Sequence, residues 1–313
     1  MLLLRLPGSS VRDRLGAQAH VSAPATSANL GPGFDSFGLC LGLRDTVSAT
    51  VTGSSLRVEI MGESADSLPR DESHLVVTAM RAAFTLMEVP QPGLELVCHN
   101  VIPHSRGLGS SAAAVVSGIR LAEQLVGRDI GADRRLELAT RLEGHPDNVA
   151  ACLLGGFTIA WTEARRPRAL RLDVHADVQA TVFVPGVTLS TAIARGLLPT
   201  EIGHADAASN SARAGLLAAA LTLRPDLLLA ATRDLLHQDY RRSAMPATLA
   251  LLDAMREAGV AAVVSGAGPT LLAFGTTQQP VDAARWARPG WRSSRQDIDA
   301  DGATSGEPPP AAE

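Results

Sequence analysis

Between His74 and Met87 the apolar positions Leu75, Val76, Ala79, Ala82, Ala83 and Leu86 recur at helical spacing, which predicts an amphipathic helix. Around it the period shortens to that of strands. His20–Ala25 opens a strand that breaks at PATSANLGPGFDSFG, so rich in small and turn-forming residues that it reads as a loop. Leu39–Leu43 and Thr46–Val51 read as two strands, Leu56–Met61 as an exposed one and Leu94–Ile102 as the next. A long alanine-rich helix from about Ser111 to Val126 ends at Gly127, a residue suited to a helix C-terminus. RRLELATRLEG gives another helix, a short one follows HPDN, and FTIAW is a strand after Gly155 and Gly156.

Between residues 167 and 177 the pattern loosens into proline and charge, which predicts a domain boundary. Beyond it come a strand at Val178–Val184 and helices at Thr191–Leu198, Ala205–Leu223, Asp226–Leu236 and Ala247–Ala258. VAAVVSG and PTLLAFG read as strands joined across GAGP, and VDAARWA as a short helix. DIDADG begins like a calcium loop, but Pro308 stands where the closing glutamate belongs, so it reads as a hairpin of the last strand pair. Strands and helices alternate in both halves, which gives an α+β or α/β class. The expected division is an extension at 1–17, domains at 18–168 and 176–304, and a solvated tail at 305–313.

Composition changes this picture in one respect. All 28 basic residues are arginine, which excludes a Schiff-base lysine, the lysine of the G-x-x-x-x-G-K-[ST] loop and the strand lysine of protein kinases. A net charge of -4 gives no footprint for nucleic acid or an anionic membrane, and no apolar run approaches the length of a membrane span. Cys40, Cys98 and Cys152 form no CxxC pair, which argues against zinc or a disulfide framework and fits a reducing cytoplasm.

Three constellations carry chemistry. SRGLGSSA stands between a strand and a helix, where Gly107 and Gly109 let the backbone approach an anion at the positive end of the helix dipole. Ser110 or Ser111 offers a hydroxyl to phosphate or magnesium; glycine and serine clusters also open many helices merely as caps. In EGHPDNVA, Glu143 offers a hard oxygen to magnesium while His145 and Asn148 face a substrate; the plainer alternative is that Asp147 or Asn148 caps a helix. In PATSANLGPGFDSFG, Asn29 and Asp35 are the polar candidates. Asp35 lies between Phe34 and Phe37, where a carboxylate needs a partner such as a substrate ammonium. Arg195 and Arg241 each precede a proline by a few residues, and two guanidinium groups converging on one carboxylate would recognise an amino acid.

PATSANLGPGFDSFG, RGLGSSAAA, EGHPDNVA and SGAGPTLLAF, in this order and spacing, resemble the homoserine kinase family of the GHMP kinase superfamily, in the form typical of actinobacteria and other Gram-positive bacteria; the likeness spans roughly residues 18–290. The resemblance implies an α+β, two-domain fold, with a left-handed βαβ unit in the N-terminal domain and a ferredoxin-like C-terminal domain. It implies phosphoryl transfer from ATP to the side-chain hydroxyl of L-homoserine, giving O-phospho-L-homoserine on the route to threonine. ATP would lie along Pro103, His104, Ser105, Arg106, Gly107, Leu108, Gly109, Ser110, Ser111, Ala112 and Ala113, with His74 near the adenine, where members commonly carry asparagine. Ser111 and Glu143 would hold Mg2+. Asn29, Asp35, His145, Asn148, Thr191, Arg195 and Arg241 would hold homoserine: Asp35 its ammonium, the arginines its carboxylate and Asn148 its hydroxyl. Asn148, His145 and Asp35 lie nearest the chemistry, no dedicated general base is evident, and a homodimer is common in the family.

Overall fold

The computed structural model describes residues 14–53 and 55–305. Its first half is built on a mixed seven-stranded sheet. Strands β1 (Gln18–Ala28) and β2 (Phe37–Thr52) form a long antiparallel pair, followed by β3 (Leu56–Gly62), helix α1 (Leu75–Leu86) and β4 (Gly93–Asn100). β3 and β4 run parallel and are joined through α1, so they form a βαβ unit. Helices α2 (Ser110–Val126), α3 (Ala132–Glu143) and α4 (Pro146–Leu154) then lead to the hairpin β5 (Phe157–Glu163) and β6 (Arg166–Leu172). One face of α1 buries Val76, Val77, Ala79, Met80, Ala83 and Phe84, as its spacing requires. α2 is buried nearly all round, and Gly127 in the left-handed region closes it.

The second half holds a four-stranded antiparallel sheet in the order β10-β7-β9-β8, from β7 (Val178–Pro185), β8 (Ala261–Val264), β9 (Leu271–Thr276) and β10 (Trp291–Gln296). Between β7 and β8 run α5 (Thr191–Gly196), α6 (His204–Thr222), α7 (Leu228–Ala231) and α8 (Pro246–Glu257). Numbered along the chain the sheet reads fourth, first, third, second, which is the ferredoxin-like order. The two-domain α+β expectation is met.

Several local expectations fail. The strand at His20–Ala25 continues to Ala28, inside the segment read as loop, and the two strands after that loop are one continuous β2. The loosened stretch after residue 166 is β6; as a hairpin edge, partly exposed along its whole length, it carries no continuous apolar face. The helix expected at Asp226–Leu236 stops at Ala231, because the Asp234 carboxylate accepts the N–H groups of Leu236, His237 and Gln238 and turns the chain. VDAARWA is a turn rather than a helix, though its Trp286 still packs into the core of the second half.

The chain end also departs from expectation. DIDADG is no hairpin: β10 pairs with β7, whereas Ile298 bridges Leu41 and β11 (Thr304–Ser305) pairs with β1. Arg44 pairs with Asp299 and donates to the Gly302 carbonyl, which ties this return to the first sheet. The range 176–304 therefore runs too far for the second domain. Residues 14–17, read as extension, are packed: Gly16 donates to the Val51 carbonyl at 2.9 Å and Arg14 to that of Leu125 at 2.9 Å. The remainder of the expected extension, 1–13, and of the tail, 306–313, lies outside the described residues.

Candidate active site

All four motifs open into one cleft of about 580 Å³ between the two halves. Its floor is the start of α2. Ala113 is the first amide of that helix to reach a carbonyl, that of Gly109, so the preceding amides point along the axis into the cleft. Gly107 and Gly109 have φ of +78° and +69°, and a side chain on either has no room: a Cβ would lie 2.1 Å from the Ser265 carbonyl oxygen or 1.9 Å from Thr26 Oγ1. The glycines are thus required by both conformation and space.

The loop is stitched to the second half. Ser265 donates its hydroxyl to the Gly107 carbonyl at 2.5 Å, and the Leu189 amide donates to that of Ser105 at 3.0 Å. Arg106, assigned to phosphate, donates instead to the carbonyls of His104, Pro185 and Gly186, so this guanidinium holds the loop. Below, Asp45 accepts the amides of Val101 and Ile102 at 2.7 and 2.9 Å and steers the chain into the loop; burial pushes its carboxyl up to about 6.

Glu143 ends α3 and Ser111 lies in the first turn of α2; the serine hydroxyl donates to Glu143 Oε2 at 2.7 Å. Burial raises the Glu143 carboxyl above its usual range, only partly offset by that bond. Among the described residues no group of three or more histidine, cysteine or acidic side chains forms a metal cage. One carboxylate and one hydroxyl are nevertheless the donor set of a cation that takes its other ligands from phosphate and water.

His145 is the N-cap residue of α4, and burial, aided by Arg195, lowers the pKa of its ring. Asp147, in the first turn of α4, is almost wholly buried and rises to about 7 through desolvation. Its Oδ1 accepts the Asn148 backbone amide at 2.7 Å, and Asn148 Oδ1 accepts the Thr26 hydroxyl at 2.8 Å. Asn29 is engaged with the chain itself, donating to the Gly266 carbonyl at 2.8 Å and accepting the Asp35 amide at 2.9 Å. Asn29, Leu30, Asp35 and Ser105 all have positive φ, which places left-handed non-glycine residues in both loops of the cleft.

The two arginines share one aromatic neighbour. The guanidinium carbons of Arg195 and Arg241 lie 5.5 and 5.8 Å from the Phe34 ring centroid. Arg241 is 1% exposed, donates to the Ala194 and Gly266 carbonyls, and is lowered to about 10 by burial and then by Arg195. Behind Phe34, His237 stacks on the ring, faces the Gly31 carbonyl through Nε2 and accepts Arg241 Nη1 on Nδ1. The expected free carboxylate of Asp35 is paired: Arg195 grips it with both terminal nitrogens. Opposite charges facing one another in a half-buried cleft close on each other.

Of the assigned residues, only Asp35 and Ala112 fail to line the cleft, and Thr191, first in α5, does line it. Eight buried side-chain polar atoms lack a partner among the described residues, and five belong to cleft residues: His74 Nδ1, His104 Nδ1, Ser110 Oγ, Ser117 Oγ and Arg195 Nε. Native proteins rarely leave such atoms unsatisfied, so their clustering marks a polar ligand site. Sequence reasoning missed Thr26, Asp45 and Ser265 and gave Asp147 only a cap. Small polar residues inside strands and loops carry no periodic signal; Asp147 stood in EGHPDNVA, where a helix cap was its plainer reading.

Residues 74–156 match the family described as GHMP kinases N terminal domain, and residues 212–287 match GHMP kinases C terminal. The chain is 51% identical over 294 residues to a homoserine kinase of Streptomyces avermitilis, covering 92% of this chain and 95% of that protein. It is 49% identical to one of Clavibacter michiganensis, covering 92% and 94%. Among solved structures, a homoserine kinase of Cytophaga hutchinsonii superposes with a TM-score of 0.81 at 27% identity, covering 96% of this chain and 99% of that one. An L. major mevalonate kinase, at 15% identity and a TM-score of 0.66, covering 93% and 96%, shares the fold. The chain belongs to the homoserine kinase family of the GHMP kinase superfamily.

Proposed function

We propose that this protein transfers the γ-phosphoryl group of ATP to the side-chain hydroxyl of L-homoserine, giving O-phospho-L-homoserine for threonine biosynthesis. One observation carries the reading: a phosphate-type helix N-terminus, a hard-oxygen pair and two arginines over one aromatic ring open into a single cleft. Close relatives bear the same activity in their names.

Phosphoryl transfer through a loose transition state asks mainly for positioning and charge neutralisation. The amides at the start of α2 receive the phosphates, and the carboxylate of homoserine is held between Arg195 and Arg241. The substrate ammonium takes over Asp35 as Arg195 turns to the carboxylate, so each charge of the zwitterion replaces one half of the resident ion pair. Asn148 holds the hydroxyl. His145, at the N-cap of α4, and Asp147, buried beside Asn148, are assigned to positioning. The hard-oxygen donor set of Ser111 and Glu143 fits Mg2+, and burial of Glu143 without a cationic partner suits a bound cation. When bound, the ion offsets the negative charge of the β- and γ-phosphates.

Cys40, Cys98 and Cys152 are free and buried, which supports a cytoplasmic location, and among the described residues no helix is long and apolar enough to cross a membrane. A homodimer is the proposed assembly, to be checked by light scattering. The activity is tested by coupled ADP release with homoserine, mevalonate, galactose and shikimate. Stimulation by homoserine is expected, and its absence would refute the assignment. Glu143→Ala abolishes transfer if the chain is a catalyst rather than a binding protein of the same fold.

A further inference from the structure

Thr26 lies at the end of β1 with no exposed surface, and it touches both halves of the chemistry. Its backbone amide donates to the Leu108 carbonyl at 3.1 Å, within the phosphate loop. Its hydroxyl donates to Asn148 Oδ1 at 2.8 Å and fills the space beside Gly109. On the other side of the same carboxamide, Asp147 Oδ1 lies 3.4 Å from Asn148 Nδ2 and already accepts the Asn148 backbone amide. The acceptor on the Asp147 flank favours the orientation that puts Nδ2 there over its flip, in which Oδ1 would face the Asp147 oxygen, and in that orientation the Thr26 hydroxyl meets Oδ1 as a donor.

We infer that Thr26 is a positioning residue for phosphoryl transfer: its hydroxyl locks the Asn148 carboxamide so that the remaining lone pair of Oδ1 faces the cleft. The inference rests on the homoserine reading for what that lone pair does. Accepting the substrate O–H, it turns the hydroxyl oxygen's own lone pairs towards the phosphate on α2. Without Thr26 the carboxamide can rotate, and the nucleophile binds in several orientations of which few react. Because the same threonine fixes Leu108, the nucleophile's holder and the phosphate's cradle keep a common reference.

Filling space is the alternative role, and Thr26→Val preserves volume while removing the donor. Thr26→Ser keeps the hydroxyl and loses the methyl group. For Thr26→Val, kcat is expected to fall about tenfold to a hundredfold while the KM for ATP stays within about twofold of wild type; Thr26→Ser should retain kcat within about threefold. Equal losses in both variants, or a wild-type kcat in Thr26→Val, would overturn the inference.

A second arm is independent of turnover: the Asn148 side-chain amide is followed by NMR, assigned through Asn148→Asp. Its two protons should shift and exchange with solvent at least tenfold faster in Thr26→Val but not in Thr26→Ser. An unchanged amide in Thr26→Val overturns the lock even if the kinetics agree. A wild-type protein without homoserine-dependent ADP release refutes the kinase reading instead, and the NMR arm still decides the contact.

Discussion

Replacing Asp147 by asparagine removes a carboxyl group that burial holds near 7, against an ordinary value of 3.8. The shape is kept, and an amide oxygen at the same place still accepts the Asn148 backbone N–H. In the unfolded chain this carboxyl loses its proton near the ordinary value; in the folded protein it holds the proton until about 7. Between those two pH values the folded state binds more protons, so its stability falls as pH rises through the window and is level above it. The slope is about 1.4 kcal/mol per pH unit, and integration from about pH 5 to about pH 8 gives a loss on the order of 3 kcal/mol. Asparagine does not titrate, so the variant escapes this loss. Urea unfolding of both proteins at several pH values across that range should show the variant gaining on wild type by about 3 kcal/mol. Other carboxyls, including Asp45, are common to both proteins and cancel in the difference. A stability difference that stays constant with pH would refute the claim that Asp147 is desolvated, and a gain at low pH that vanishes at high pH would reverse its sign.

The remaining predictions concern the cleft. Arg195→Ala and Arg241→Ala should each raise the KM for homoserine far more than that for ATP in steady-state kinetics, because the two guanidiniums meet over Phe34. Equal effects on both substrates would contradict the clamp. Gly109→Ala should weaken nucleotide binding at least tenfold by calorimetry and lower the melting temperature, since its Cβ would fall 1.9 Å from the Thr26 hydroxyl at a φ of +69°. Binding equal to wild type would show that the loop has room to move.

Much of this architecture is legible in the sequence where one local rule dominates. Leu75–Leu86 forms because its apolar stripe repeats at helical spacing, and α2 stops at Val126 because Gly127 accepts the left-handed conformation. β6 is illegible because RPRALRL alternates arginine with apolar residues on an edge that neither face fully buries. The early end of α7 depends on Asp234, whose carboxylate captures three amides; from the sequence it is one more polar residue in a helical pattern. The site divides in the same way. Gly107, Ser111, Glu143 and Asn148 can be read from their motifs, whereas Thr26, though inside PATSANLGPGFDSFG, acquires its role only when β1 is laid beside α4, 122 residues from Asn148 along the chain. The Arg195–Asp35 pair spans a separation of 160, and it turned two residues expected to wait for substrate into partners of each other.

The return of the chain to its first sheet has a consequence for how the molecule can be divided. β11 supplies the neighbour of β1, and Asp299 takes the Arg44 guanidinium. The first half is thus a discontinuous unit, interrupted by the second half much as a sentence is by a parenthesis. Cutting after Leu172 would leave β1 with an unpaired edge, Arg44 without its carboxylate, and the amides of Gly42 and Gly156 and the carbonyl of Cys40 next to a gap where residues 297–302 should lie. A shortened protein that keeps the first half intact would have to excise the middle and rejoin the closing segment to it.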